Sequence, residues 1–227
     1  MGEMIEFASN GSTDPGYLAL PSAGDGPGVV VIQEWWGLVD HIKDVCDRFA
    51  AEGFVALGPD LYHGAKTVEP DEAAKTMMAL RLDKAGKDLS GAVDEVASRS
   101  SGGGVGVVGF CMGGGLALML ASQRPDKVRA AVPFYGVVPW EGAQPDYSAL
   151  TGAVLGHFAE LDHSASPEAA RALGQTLKDS GNVDVELHVY PGVDHAFFND
   201  TRPEVYDAEA SALAWQRTIQ FLHSRIG

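Results

Sequence analysis

The sequence predicts an α/β fold, with a mostly parallel central sheet and helices on both faces. Three observations support this prediction: short apolar runs recur along the chain, segments of helical periodicity separate them, and turn residues bound both. The predicted strands cover residues Gly28–Ile32, 54–57, 105–108, Val128–Phe134, 153–158 and Val185–Tyr190. The predicted helices cover residues of about 39–51, 71–80, 87–98, 114–122, 167–180 and 204–223. Strands that alternate with helices of this length form βαβ units, whose strands run parallel.

Individual elements carry the signals expected of such a fold. Gly28–Ile32 and residues 105–108 are unbroken apolar runs, as in strands buried on both faces of a parallel sheet. Asp71 and Ser166 stand where N-cap side chains would start the second and fifth helices, and a proline follows Ser166 at the first helical position. We expect functional groups in the loops at the carboxyl ends of the strands, where open α/β sheets carry them.

Composition and charge restrict the class of protein. The 227 residues are 45% hydrophobic and 21% charged, which is typical of a globular chain, and no repeat, low-complexity tract or long linker divides them. We expect one domain over residues 1–227. The net charge of −15 repels phosphate backbones and anionic lipid surfaces, so we expect neither nucleic acid nor a membrane as a partner.

The N-terminus and the cysteines predict a cytoplasmic protein. Residues 1–6 have neither the basic nor the apolar region of a signal peptide, and no apolar run approaches the ~20 residues that cross a bilayer. Cys46 and Cys111 do not suggest a disulfide framework. Cys46 lies in a helical pattern, where we expect a small core residue.

The hexapeptide Gly-Phe-Cys-Met-Gly-Gly at residues 109–114 has the pattern of a nucleophile elbow. In such a turn a strand passes sharply into a helix and projects the central side chain, here Cys111, outward, while glycines permit close approach of the backbone. A thiolate at a helix N-terminus is stabilised by the helix dipole. The alternative is a small buried cysteine in a Gly-rich turn, and the hexapeptide alone does not decide between the two.

Two later strand ends carry groups that complete a nucleophilic site. Asp162 and His195 each follow closely after a predicted strand. The order nucleophile, acid, histidine is that of an α/β-hydrolase triad, in which the histidine takes the proton of the nucleophile and the carboxylate orients the imidazole. Glu160 is a rival acid in the same loop. The order predicts a triad of Cys111, His195 and Asp162, with Asp162 preferred over Glu160.

The remaining histidines do not indicate a metal site. We expect His157, His163 and His188 to be structural or surface residues. A metal set would have to combine the first two with Asp162 and His195, and that set lacks recognisable ligand spacing. We therefore expect no metal ion and no cofactor.

A hydrolytic triad also needs an oxyanion hole, which stabilises the charge on the attacked carbonyl oxygen. One donor should be the backbone N–H of Met112, directly after the nucleophile. The other should be the N–H of Trp35, in the loop after Gly28–Ile32. Trp35 and Trp36 could equally be packing aromatics, but their place at a strand end favours the lining of a pocket.

Six segments of the chain together form a further pattern. They are Gln33-Glu34-x-x-Gly37, Pro59-Asp60-Leu61-Tyr62, Gly109-Phe110-Cys111-Met112-Gly113-Gly114, Phe134-Tyr135-Gly136, the Asp162 loop and Tyr190-x-Gly192-x-x-His195-x-Phe197. Together these segments resemble the dienelactone hydrolase (carboxymethylenebutenolidase) family, cysteine-bearing members of the α/β-hydrolase fold. They extend from the N-terminal strands to the final helix, so the resemblance covers essentially the whole chain.

The resemblance implies roles for further residues. In similar enzymes the glutamate that matches Glu34 contacts the resting thiol and helps to deprotonate it when substrate binds. A carboxylate beside a cysteine disfavours the thiolate, so the resting Cys111 is expected to be a protonated thiol. The expected lining of the substrate pocket is Trp36, Tyr62, Tyr135 and Phe197.

The sequence departs from the family where a substrate carboxylate would bind. The best-known members carry two arginines there: one follows the Asp-Leu-Tyr segment, where this chain has His63 and Gly64, and the other matches Asn199. Neither His63 nor Asn199 offers the guanidinium fork that binds a carboxylate. Nothing in the sequence places Arg81 or Arg202 in the pocket. We therefore expect a neutral ester or lactone as substrate rather than a dienelactone carboxylate.

The leading hypothesis is hydrolysis of a small ester or lactone through a thioester on Cys111. One alternative is attack by the same triad on another electrophile, such as a phosphotriester or a thioester. The other is a non-catalytic redox or binding domain with Cys111 as its exposed thiol, although such a domain has no need of Asp162 and His195. We expect a small-molecule substrate, and a monomer or a homodimer.

Overall fold

The computed structural model describes residues 1–140, 142–143, 145–181 and 184–227. The strands are β1 (Glu3–Ser9), β2 (Ser12–Ala19), β3 (Gly28–Ile32), β4 (Val55–Pro59), β5 (Val105–Phe110), β6 (Val128–Phe134), β7 (Ala153–Ala159) and β8 (Val185–Tyr190). The α-helices are α1 (Asp40–Ala51), α2 (Pro70–Met78), α3 (Leu82–Arg99), α4 (Met112–Gln123), α5 (Pro167–Asp179) and α6 (Ala208–Ile226). None of the described helices combines the length and the apolarity needed to cross a membrane.

The described strands form one eight-stranded sheet in the order β1-β2-β4-β3-β5-β6-β7-β8. The strands from β4 to β8 in that order run parallel, whereas β1 and β2 pair antiparallel with each other and β2 pairs antiparallel with β4. The loops that follow β3, β5, β7 and β8 therefore meet at one edge of the sheet, which is where the predicted catalytic groups stand.

Two hydrophobic clusters cover the two faces of the sheet, as the alternation of strands and helices predicts. In β3 the side chains alternate between the clusters: Val30 belongs to one and Val31 to the other. Helices α3, α4 and α5 contribute buried apolar residues to the first cluster, and α1 and α6 contribute them to the second. Helix α4 is buried almost all round, so its N-terminus is held firmly against the sheet.

The N-terminal hairpin of β1 and β2 was not predicted from the sequence. Strand β2 contains Pro15 and Gly16, residues that weaken a strand pattern. The predicted cap at Asp71 is also wrong, because α2 begins at Pro70 and its N-cap position is Glu69, without a side-chain cap. The cap at Ser166 is confirmed, since its hydroxyl accepts from the backbone N–H of Ala169 at 3.2 Å.

Candidate active site

Cys111 lies at the turn between β5 and the N-terminus of α4. Its φ angle of 54° falls in the left-handed region, where a residue with a β-carbon is strained. Glycines make the turn feasible: a Cβ at Gly109 would collide with the backbone of Gly113, and a Cβ at Gly113 would collide with the carbonyl of Ile32. The turn leaves Cys111 partly exposed at the carboxyl edge of the sheet.

The two residues predicted to form an oxyanion hole lie beside this turn. Met112 is the first residue of α4, and the N–H groups of a first helical turn have no partner inside the helix. Trp35 lies just beyond the end of β3. Both residues line the same cavity as Cys111.

His195 and Asp162 meet from the loops after β8 and β7. The His195 Nδ1 and Asp162 Oδ2 atoms are 2.7 Å apart, and the Asp162 side chain is fully buried. The other carboxylate oxygen accepts from the backbone N–H groups of Ser164 at 2.7 Å and Ala165 at 2.9 Å. The carboxylate is therefore fixed from both sides, and it fixes the imidazole in turn.

Hydrogen bonds determine the charge states of this pair. Burial alone would lower the pKa of His195, but hydrogen bonds with Asp162 and Cys111 outweigh burial and raise that pKa to about 10. Burial would raise the pKa of Asp162, whereas the bonds from His195 and the backbone hold it below its ordinary value. A protonated imidazole beside a sulfur stabilises a thiolate, the form in which a cysteine acts as a nucleophile.

The rival acid and the other histidines lie elsewhere. Glu160 accepts from the backbone N–H of Gly192 at 2.8 Å, whereas the His195 ring is bonded to Asp162. His157 is buried and bonded through both ring nitrogens, to the hydroxyls of Tyr190 at 2.9 Å and Thr218 at 3.0 Å.

Glu34 is buried beside the nucleophile and is held by two donors. The Asn199 amide donates to Glu34 Oε2 at 2.8 Å, and the Tyr135 hydroxyl lies 3.4 Å from Oε1. Burial and the neighbouring Glu34 and Cys111 raise the pKa of Tyr135 well above its ordinary value. The hydroxyl therefore stays protonated and donates a hydrogen bond to Glu34. Glu34 and Cys111 line one cavity.

That cavity has a volume of about 200 Å³ and contains most of the predicted site. Trp36 and Tyr135 line it as predicted, and the His195 ring packs edge-to-face on Tyr135 at 5.1 Å between centroids. Within the described part of the chain, Tyr62 and Phe197 are not among its lining residues. Phe197 is fully buried in the core, and the Tyr62 hydroxyl contacts the Met112 sulfur at 3.3 Å from a neighbouring groove.

The cavity also has a cation that the sequence could not place. Arg202 lines it, with its guanidinium carbon 5.9 Å from the centre of the Trp36 ring and its Nε bonded to Glu204 at 2.8 Å. Arg81 instead pairs with Asp83 on an exposed surface. The sequence argument for a neutral substrate, which depended on the missing arginines, therefore loses its main support.

Sequence reasoning missed the roles of Asn199 and Arg202. Both lie in the chain of turns between His195 and α6, where no periodicity predicts the direction of a side chain. The available signals were their positions shortly after His195 and the match of Asn199 to a family arginine.

Comparisons with known proteins show the family to which the chain belongs. The profile of the dienelactone hydrolase family matches residues 15–226. The protein usf of Aquifex pyrophilus is 40% identical over 229 residues, an alignment that covers 97% of both chains. A relative from Aquifex aeolicus, named "Putative carboxymethylenebutenolidase", is 36% identical with the same coverage.

Solved structures give the same result for the fold. A crystal structure named "Putative Dienelactone Hydrolase", from Klebsiella pneumoniae, superposes with a TM-score of 0.89 at 28% identity and covers 98% of both chains. A dienelactone hydrolase-like promiscuous phosphotriesterase from metagenomic libraries superposes at 0.87 with 24% identity, which supports the fold alone. The predicted α/β-hydrolase fold is confirmed.

Proposed function

Because the chain belongs to the dienelactone hydrolase family, we propose that it hydrolyses small esters or lactones with Cys111 as the nucleophile. The observation that carries the proposal is a triad arrangement in which His195 bonds to Asp162 at 2.7 Å and lines one cavity with Cys111. Three loops that are distant in sequence supply its members at one edge of the sheet, beside a cavity of small-molecule size.

The reaction proceeds in two halves. The Cys111 thiolate, whose proton Glu34 has taken, attacks the substrate carbonyl beside the protonated His195, and the N–H groups of Met112 and Trp35 stabilise the oxyanion. The tetrahedral intermediate collapses to a thioester, and the leaving alcohol takes a proton from His195. A water molecule, deprotonated by the now neutral His195, then attacks the thioester and releases the acid, and the departing Cys111 sulfur takes its proton back from Glu34.

Glu34 acts before the first half. Its two oxygens are fixed by Asn199 and Tyr135, so the carboxylate is held in the cavity beside Cys111 rather than free to turn away. A thiolate formed before substrate binds would place a second negative charge beside the Glu34 carboxylate. Substrate displaces the Glu34 carboxylate toward the Cys111 thiol. The carboxylate then takes the proton of that thiol.

The protein is proposed to work in the cytoplasm as a monomer or a homodimer, on a small molecule rather than on nucleic acid or a membrane. Both cysteines are free thiols, as is usual in a reducing compartment. The net charge of −15 weakens contact with phosphate-rich partners.

An activated aryl ester tests the proposal. The wild-type protein should show a burst of product followed by steady turnover, with a mass increase of one acyl group on the peptide that contains Cys111. Cys111→Ala should abolish both, whereas Cys46→Ala should retain them, because Cys46 is buried in the core and distant from the cavity lining. Steady turnover by Cys111→Ala would refute the proposal.

The same substrates separate the alternatives. Stoichiometric labelling of Cys111 without a second turnover, unchanged by His195→Ala, would indicate a redox or binding thiol. Turnover of phosphotriesters or thioesters in preference to esters and lactones would assign the triad to another electrophile.

A further inference from the structure

A second cluster of chemically active side chains lies outside the catalytic cavity. Asp14 lies on β2, His63 in the turn after β4, and Asp88 on α3, and one ligand atom from each lies within 4.8 Å of the others. His63 and Asp88 line a groove next to the catalytic cavity. Three segments that are distant in sequence thus converge on one point.

The separations within this cluster are somewhat longer than those around a metal ion. The two short contacts use different ring nitrogens: His63 Nδ1 is 3.6 Å from Asp14 Oδ1, and His63 Nε2 is 3.8 Å from Asp88 Oδ2, so only one of these nitrogens can bind the same ion as the carboxylates. Ligands at about 2.0–2.2 Å from a tetrahedral zinc ion lie about 3.3–3.6 Å from one another. Small side-chain movements would bring both carboxylates and one ring nitrogen onto an ion, and His63 is free to make them because its side chain is 37% exposed.

The Asp14 and Asp88 carboxylates are buried with few hydrogen-bond donors to offset the loss of water. The Asp14 and Asp88 side chains are only 9% and 5% exposed, and Asp14 Oδ2 is buried without a hydrogen-bond partner among the described residues. Ser9 donates to Asp88 at 3.2 Å. Buried carboxylates are normally paired with a cation or bound to a metal, so a cation beside the free oxygen of Asp14 would be favourable.

We propose that Asp14, His63 and Asp88 bind a divalent transition-metal ion, with zinc as the best match, that ties β2, the turn after β4 and α3 together. One imidazole nitrogen and two carboxylate oxygens form a mixed donor set suited to zinc or manganese, whereas magnesium prefers oxygen ligands alone. The site is independent of the proposed hydrolase activity. Sequence reasoning, which predicted no metal ion, had considered a different set of residues.

Lys84 is the competitor for this position. Its Nζ lies 2.9 Å from His63 Nε2, and its charge lowers the pKa of Asp88, which burial and Asp14 raise to about 6. Lys84 is exposed on α3, so its side chain can move away when an ion enters. Removing its charge should therefore strengthen metal binding.

Calorimetric titration of the EDTA-treated protein with ZnCl2, MnCl2 and MgCl2 tests the proposal. The titrations use the Cys111→Ala protein, because a catalytic thiol can itself bind zinc. We expect one zinc ion per chain, and affinity at least about tenfold weaker in each of three variants. The variants are Asp14→Asn, His63→Asn and Asp88→Asn. Asp83→Asn, an exposed charge change at the start of α3, should bind as the parent does.

A second pair of variants distinguishes a metal site from a simple ion pair with lysine. Lys84→Gln should bind zinc more tightly than the parent, whereas Lys87→Gln, an exposed lysine on the same helix, should not. Zinc should also raise the melting temperature of the parent but not that of Asp88→Asn, which lacks one of the two ligand carboxylates. Absence of saturable binding in both the parent and Lys84→Gln would overturn the proposal, as would binding that the three ligand variants leave unchanged.

Discussion

The Asn199 amide donates to Glu34 Oε2 at 2.8 Å, and this bond joins two buried side chains that are 165 positions apart in the sequence. It is the shorter of the two bonds that hold the Glu34 carboxylate, since the Tyr135 hydroxyl lies 3.4 Å from the other oxygen. A residue that stands where related enzymes have an arginine for the substrate thus orients a carboxylate of the protein itself.

Replacing Asn199 should therefore impair the activation of Cys111. A hydrogen bond to a charged group contributes about 1.5–3 kcal/mol, so Asn199→Ala should lower kcat/KM for an activated ester by about 10- to 100-fold. Asn199→Asp should be worse at neutral pH because it adds a second carboxylate beside Glu34, and part of the loss should be recovered as the pH falls. Rate–pH profiles of both variants measure this.

Tyr135→Phe is the matched control for Asn199→Ala. It removes only the longer bond to Glu34 and keeps the ring that packs on His195, so its effect on kcat/KM should be smaller. If Asn199→Ala and Asn199→Asp both kept wild-type rates, Glu34 would have no part in activating the thiol.

The pair of Asp162 and His195 should make stability depend on pH. The folded pKa of His195 is raised from 6.5 to about 10, so folding favours the protonated ring. This contribution is complete below about 6.5 and is lost as the pH rises toward 10. The free energy of unfolding of wild type relative to His195→Gln should therefore decrease across that window. Chemical denaturation of both proteins at several pH values measures the difference.

Asp162→Asn tests whether the Asp162 carboxylate causes this pH dependence of stability. It removes the carboxylate whose hydrogen bond raises the pKa of His195 while it leaves the histidine in place. The pH dependence should then be weaker than in wild type. A slope in Asp162→Asn as steep as that of wild type would mean that the carboxylate does not hold the proton on His195.

Much of the fold follows from local sequence, and the exceptions have local causes. Strands β3, β4 and β5 are apolar runs that no polar residue interrupts, so their pattern is strong, whereas Arg129, His157 and Glu186 with His188 interrupt the apolar runs of β6, β7 and β8. Strand β2 pairs with β4 despite Pro15 and Gly16, because β4 supplies the tertiary partner that the local pattern lacks. Helix α3 begins at Leu82, five residues before its predicted start near residue 87.

The candidate site was predictable where it depends on strand ends and not where it depends on turns. Cys111, Asp162 and His195 come closely after strands, and parallel strands bring their ends to one edge. Asn199 and Arg202 follow positive-φ Ala196 in consecutive turns, and only tertiary packing determines where their side chains point.

The elbow should tolerate no β-carbon at Gly109. A methyl group there meets the Gly113 carbonyl oxygen and the Gly114 nitrogen, both backbone atoms that cannot move aside independently. Gly109→Ala should lower the free energy of unfolding by at least ~2 kcal/mol, as expected for strain at a constrained turn. Gly103→Ala, where nothing lies within 4 Å of the new methyl group, should change the free energy of unfolding by less than about 1 kcal/mol. Equal effects in urea denaturation would refute this account of the turn.

Arg202 should make the cavity prefer substrates that carry a carboxylate. Glu204 and the Trp36 ring hold its guanidinium at the cavity edge, where the free N–H groups can bind an anion. Arg202→Ala should raise KM for a carboxylate-bearing ester about 10- to 100-fold more than for its methyl-capped counterpart, the range of a charged hydrogen bond. Arg202→Lys keeps the charge but lacks the planar guanidinium fork. Its KM for the carboxylate-bearing ester should lie between the values of wild type and Arg202→Ala. Arg81→Ala should leave both substrates unaffected, because Arg81 pairs with Asp83 away from the cavity. An equal increase in KM for the carboxylate-bearing and the methyl-capped ester would instead support neutral substrates.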